Sequence, residues 1–242
     1  MKPTLLRRAV AEFTGTLLLL AAVVGSGIMG ERLAAGNAAL ALLVNTIATG
    51  AALVAIILAF GPISGAHLNP AVTLADAWQR GIAWREAPLY IAAQIAGAIA
   101  GVVVAHLMFG LPWLLASSHA RAGLPQVFSE FVATFGLLAV IWGCVRQRPA
   151  AVPYAVGAYI TAAYWFTAST SFANPAVTLA RAMTNTFAGI RPHDVAPFVA
   201  QLAGAFAATL LFRWLIPAPS VKMVSSPWTS LESLQPADST RD

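Results

Sequence analysis

Apolar and polar positions do not alternate along this chain; they come in blocks. Six stretches are almost wholly apolar: 9–29, 38–60, 85–109, 127–144, 152–168 and 195–216. Each holds roughly 20 residues, the length a helix needs to cross about 30 Å of hydrocarbon. Short polar connections separate them: 31–37, 79–84 with Arg80 and Gly81, 110–125 with Pro112, His119 and Arg121, 146–149, and a loop with Arg191, Pro192, His193 and Asp194. A short basic leader, 1–8, precedes the first block. That block is too long for the apolar part of a secretory signal and contains Glu12, so it reads as a retained helix. From Pro217 the pattern ends, and 217–242, polar and rich in Ser and Pro, reads as a disordered tail.

Two segments interrupt this rhythm. Each follows an apolar block but is too short and too polar to span a bilayer. The run Asn-Pro-Ala-Val-Thr-Leu-Ala stands at 69–75 and returns unchanged at 174–180. The likeness extends further. Ala11, Glu12 and Phe13 match Ser129, Glu130 and Phe131, and 93–98 (AQIAGA) match 200–205 (AQLAGA). Each half is helix, helix, motif, helix. Three crossings per half send the second half in from the opposite face, an inverted repeat that places a site near the midplane between the halves. The expected fold is an all-α membrane protein of six transmembrane helices plus two re-entrant half-helices. The channel domain covers 1–216, with repeat one at 5–110 and repeat two at 125–216.

The motif has definite physics. Asn is a strong helix cap, and Pro is favoured in the first helical turn. Asn69, Pro70 and Ala71, like Asn174, Pro175 and Ala176, each read as the start of a short helix. Ten residues of helix reach about 15 Å, half the membrane, so two such helices entering from opposite faces would meet N-terminus to N-terminus. Each end carries about half a positive charge, a barrier to cations. The unwound stretches before them, 61–68 and 167–173, must be buried in protein or line a water-filled passage. Their carbonyls would line one side of a single lane, and the Asn amides would donate to a passing solute. Glu12 and Glu130, ionisable residues within spans, are placed to bind the unwound backbone of their own halves. His67 either lines the inner vestibule or packs against loop backbone. Gln94 and Gln201 are expected to bond across helices.

Composition narrows the function. The chain of 242 residues is 59% hydrophobic and only 10% charged, whereas soluble domains carry about 25% charged residues. Its net charge of +5 is not a nucleic-acid stripe, because the Lys and Arg sit at the ends of apolar blocks. With the N-terminus inside, ten of them (Lys2, Arg7, Arg8, Arg80, Arg85, Arg146, Arg148, Arg213, Lys222, Arg241) fall on the inner side and four (Arg32, Arg121, Arg181, Arg191) on the outer. That bias puts both termini in the cytoplasm of a multi-pass protein of the inner (plasma) membrane. His119, Arg121, Arg191 and His193 are expected to be solvated. A single cysteine, Cys144, excludes an internal disulfide and a thiolate metal site. No Ser near the motifs has a His–Asp partner set, and no His pair has ligand spacing on one helix. Neither an enzyme, a metal nor a cofactor is expected.

With its two Asn-Pro-Ala copies inside a matched six-span repeat, the chain resembles the aquaporin (major intrinsic protein) family over about residues 5–216. The resemblance implies one pore per subunit, a homotetramer surrounded by lipid, and passive conduction of water or small neutral solutes. One departure stands out: most members follow the second Asn-Pro-Ala with Arg, and here that residue is Val177. Counting back from the motifs assigns the other constriction positions to Thr49, Ala162 and Ser171; a difference in loop length would bring in Tyr164 or Phe172 instead. The resulting constriction is expected to be wide and weakly polar. With residues 25–32 (GSGIMGER) and Val177, the pattern is similar to bacterial aquaglyceroporins linked to arsenic resistance, which implies passage of glycerol and of metalloid hydroxides such as arsenous acid. Two alternatives remain: an ion-coupled secondary transporter, which would need buried carboxylates such as Glu12 and Glu130, and a water-selective channel.

Overall fold

The structure is a computed structural model that describes residues 3–195 and 198–216. Among them are eight α-helices and no strand: α1 Leu5–Leu33, α2 Ala38–Ser64, α3 Pro70–Trp78, α4 Ala87–Met108, α5 Leu124–Gln147, α6 Val152–Phe166, α7 Pro175–Arg181 and α8 Phe198–Leu215. The helices α1, α2, α4 and α5, and the stretch that ends with α8, are long and apolar enough to cross a bilayer. The proposed tail, 217–242, lies outside the described residues.

The boundaries differ from the sequence expectation in three instructive places. α2 runs on to Ser64 through Pro62, so the first unwound segment is only 65–68. Pro62 has no N–H to donate to the Leu58 carbonyl, a loss confined to the last turn, and the helix continues past it to Ser64. The helix stops at Gly65, whose φ of 92° suits glycine and whose N–H donates to the Gly61 carbonyl at 2.9 Å. α6 has only 15 residues, a rise of about 22 Å. α7 has seven, because the chain turns back at once: the N–H of Ile190 returns to the carbonyl of Arg181 at 3.2 Å.

Packing repeats across the two halves. α1 lies against α4 and α2; likewise α5 lies against α8 and α6. Across the divide α2 meets α6, α4 meets α7, α3 meets α8, and α3 touches α7. Close approach is set by glycines at matched positions. A Cβ on Gly97 of α4 would lie 2.3 Å from the Phe13 carbonyl oxygen of α1, and one on Gly204 of α8 would lie 2.4 Å from that of Phe131 on α5. Small residues let helices pack backbone to backbone, which is how membrane helices associate without a hydrophobic driving force. Large apolar side chains such as Phe128, Trp165 and Trp214 remain exposed on the outside, as a lipid-facing surface requires.

Candidate functional site

The two Asn-Pro-Ala segments meet at the centre and hold each other. The side-chain oxygen of Asn69 caps α3 by accepting from the N–H of Ala71 at 2.9 Å, and that of Asn174 caps α7 by accepting from Ala176 at 3.0 Å and Val177 at 3.3 Å. Their amide groups cross over. Asn69 Nδ2 donates to the carbonyl of Ala173, and Asn174 Nδ2 donates to the carbonyl of Leu68, both at 2.8 Å. One N–H of each amide is therefore committed to the opposite half, which leaves one rather than two for a passing molecule.

The loops ahead of the caps share one backbone pattern. Ala66 and Leu68 before Asn69, and Ser171 and Ala173 before Asn174, all have φ between 46° and 53°. Left-handed backbone costs a non-glycine residue about 1 kcal/mol and persists where surrounding bonds dictate it. Here two buried carboxylates supply those bonds. Glu12 accepts from the backbone N–H of His67 (2.9 Å) and of Leu68 (2.7 Å), from the hydroxyl of Ser64 (2.6 Å) and from Gln94 Nε2 (2.8 Å). Glu130 accepts from the backbone N–H of Phe172 (2.9 Å) and of Ala173 (2.8 Å) and from Gln201 Nε2. Gln94 and Gln201 also donate to the hydroxyls of Thr73 and Thr178, each at 2.9 Å, and those hydroxyls donate to the carbonyls of Asn69 and Asn174. Each half thus ties its first, third and re-entrant helices into one polar cluster. Tyr90 adds a bond in the first half only, donating to the Ser64 carbonyl at 2.9 Å.

A cavity of about 740 Å³ runs past both Asn residues. Its lining combines the loop segments 65–68 and 171–173 with apolar side chains such as Leu53, Ile57, Val72, Val156 and Ile160. At one mouth stand Arg8, Glu86, Asp76 and His67. Arg8 and Glu86 form an ion pair at 2.7 Å that joins α1 to the start of α4, and this bond holds the Glu86 carboxyl below its usual range. His67 lines the cavity and reaches toward α3: its Nδ1 lies 3.2 Å from the Thr73 hydroxyl and its Nε2 3.5 Å from Asp76.

Toward the other mouth the wall includes Thr49, Ser171 and Val177. Ala162 is not part of it. That residue is exposed on the outward face of α6, in line with Tyr154, Ala158 and Trp165, while Pro153, Val156, Ile160 and Tyr164 face inward. Two residues along a helix is a 200° turn, so counting back to Ala162 selected the wrong face. Tyr164 lines the cavity instead, 3% exposed, with its hydroxyl 3.4 Å from that of Thr49. Phe172 also lines the wall.

Arg181, counted in the sequence only as one of four outer charges, is 2% exposed and lines the same cavity. The signal lay in the sequence: Arg181 is four residues after Val177 and so on the same face of α7. Arg121 departs from the solvated expectation. Its guanidinium donates to the carbonyls of Ser169, Phe187 and Gly189 and to the Thr170 hydroxyl, and burial lowers its pKa. Arg191 bonds Asp194 at 2.8 Å, whereas His119 and His193 are exposed. Among the described residues no group of three His, Cys, Asp or Glu could hold a metal ion.

The sequence profile described as Major intrinsic protein matches residues 1–152. The chain is 57% identical over 228 residues to aquaglyceroporin AqpS of Rhizobium meliloti (strain 1021), covering 93% of this chain and 97% of that protein. It is 35% identical to aquaporin NIP1-4 of Oryza sativa subsp. japonica, over 87% of this chain and 79% of the other. In fold it is similar to the X-ray structure of the aquaglyceroporin from Plasmodium falciparum, with a TM-score of 0.71, 22% identity, and 88% of this chain and 98% of that chain covered.

Proposed function

The chain belongs to the major intrinsic protein family of passive channels, and from that premise we propose that it conducts neutral hydroxylated solutes. Glycerol and metalloid hydroxides such as arsenous acid pass with water, in single file, through one lane per chain. The observation that carries this reading is Val177 in the cavity wall at the first turn of α7, where it offers an apolar face and no hydrogen-bond donor. A molecule with hydroxyls along one edge exchanges water for the loop carbonyls and the remaining amide N–H groups of Asn69 and Asn174. Its carbon or arsenic side slides along the apolar side chains. Arsenous acid is uncharged at neutral pH and presents hydroxyls much as glycerol does, so one lane serves both. Cations face the N-terminal end of α3 near the midpoint, an unfavourable field. The name of the relative in Rhizobium meliloti, an aquaglyceroporin, supports the solute class.

The geometry favours this reading over ion coupling. A carboxylate that carries protons through a transport cycle must be free to release its partners, and Glu12 and Glu130 hold backbone N–H groups that have no substitute. The proposed setting is the inner membrane, with both termini cytoplasmic and four chains per assembly. Stopped-flow measurements on proteoliposomes test the reading. Glycerol and arsenous acid uptake should rise linearly with concentration and ignore proton and sodium gradients. Permeation by water alone, or flux that collapses with the proton gradient, contradicts it.

A further inference from the structure

Val177 removes polarity from one point of the wall, but a full charge sits one helical turn further along. We propose that Arg181 is a specificity-determining residue of the lane, a fixed cation that offers N–H donors to solute oxygens and repels ions of its own sign. The inference rests on the neutral-solute reading above.

Three observations carry it. First, position: residues 177 and 181 share one face of α7, separated by about 6 Å along its axis, and both line the cavity. Second, the charge is not neutralised locally. Among the described residues no carboxylate lies within ion-pair distance of Arg181. Glu130, the buried acid of this half, is committed to backbone N–H groups and Gln201. A buried guanidinium without an acid partner is costly, and such a charge within a membrane protein typically faces a water-filled path. Third, the group is held rigidly while its far end stays unoccupied. Arg181 Nε donates to the Ala188 carbonyl, and the guanidinium carbon lies 3.6 Å from the centroid of the Phe172 ring, a cation–π contact. Phe172 is itself anchored through its backbone N–H to Glu130, and Arg121 lies 5.4 Å from the same ring. No hydrogen bond from the two terminal nitrogens of Arg181 is formed among the described residues. A planar fork of donors, fixed at its base and uncommitted at its tip, suits a solute with several hydroxyl oxygens.

The test compares wild type with Arg181→Leu, Arg181→Lys and Phe172→Leu in proteoliposomes, each first shown to be monodisperse in detergent. Two quantities are read for each: glycerol and arsenous acid flux, and proton and potassium leak under an imposed voltage. Wild type should pass the solutes and exclude both ions. Arg181→Leu should raise ion leak by about tenfold, the order expected when a like-charged wall is removed, and should change the ratio of glycerol to arsenous acid flux. Arg181→Lys should keep ion exclusion while altering that ratio, since the charge stays and the fork is lost. Phe172→Leu should shift the ratio in the same direction as Arg181→Lys. If Arg181→Leu fails to fold, the Arg181→Lys and Phe172→Leu ratios decide. Wild-type ion exclusion and solute ratio in every folded variant, even with lowered thermal stability, would make Arg181 a structural pin and overturn the proposal. Absence of solute flux in wild type would instead sink the neutral-solute reading itself.

Discussion

A carboxylate inside a membrane protein needs a partner for each lone pair, and Glu12 and Glu130 find theirs in loop backbone that the bilayer cannot satisfy. Glu12→Gln exchanges an acceptor oxygen for an amide donor facing the N–H of either His67 or Leu68. The loss of acceptors and the donor–donor clash should cost about 3 kcal/mol, read as a lower unfolding temperature in detergent, with solute flux falling in parallel. Unchanged stability would mean that the loop does not depend on this carboxylate. Val177→Arg places a long donor in a wall that also holds Tyr164 and Phe172. It should cut glycerol and arsenous acid flux several-fold while sparing water, and equal loss of all three would point to misfolding instead. Matched positions in the two halves made the contacts of Glu12, Glu130, Gln94 and Gln201 legible in the sequence. Tyr164 and Arg181 were harder to see. The former depended on which face of a short helix turns inward, and the latter reads in the sequence only as an outer charge for topology.

At the scale of elements, the close crossings are set by glycine. Gly97→Ala would drive a methyl group to 2.3 Å from the Phe13 carbonyl oxygen and separate α1 from α4, a destabilisation of about 2 kcal/mol. Gly61→Ala meets no atom beyond its chain neighbours and helix backbone, but Pro62 follows it and crowds a Cβ on the helical residue before it, so it should destabilise by less than Gly97→Ala. Thermal unfolding of the two variants side by side checks the order. The loop before α8 adds a pH-dependent term. The Asp194 carboxylate accepts from the Arg191 guanidinium and the Arg121 backbone N–H, which lowers its pKa. A lowered carboxyl pKa gives stability that is complete above the ordinary aspartate range and lost as pH falls from there through the lowered native value. Asp194→Asn should therefore flatten the acid limb of the unfolding temperature against pH. The apolar blocks made the six long elements legible, but their ends were not. α2 extends to Ser64 because Gly65 rather than Pro62 terminates it, and α7 stops at Arg181 because the 182–190 segment folds back on it.

The whole molecule is two interlocked halves rather than two domains. Each half contributes one Asn cap, and each Asn is fixed by a carbonyl of the other half, so neither Asn is held by its own half alone. This crossing of hydrogen bonds accounts for Asn in both copies of the motif. Tyr164 and Arg181 make the cavity lining more polar than the expected set of Thr49, Ala162, Ser171 and Val177, and the proposed solute preference would follow from the balance between Val177 and these two. The most direct test of that balance is the ratio of arsenous acid to water permeability in proteoliposomes, measured without any ion gradient. The account predicts rapid arsenous acid and glycerol entry, linear in concentration and unchanged by ionophores. Water permeation with no measurable entry of either solute would contradict it.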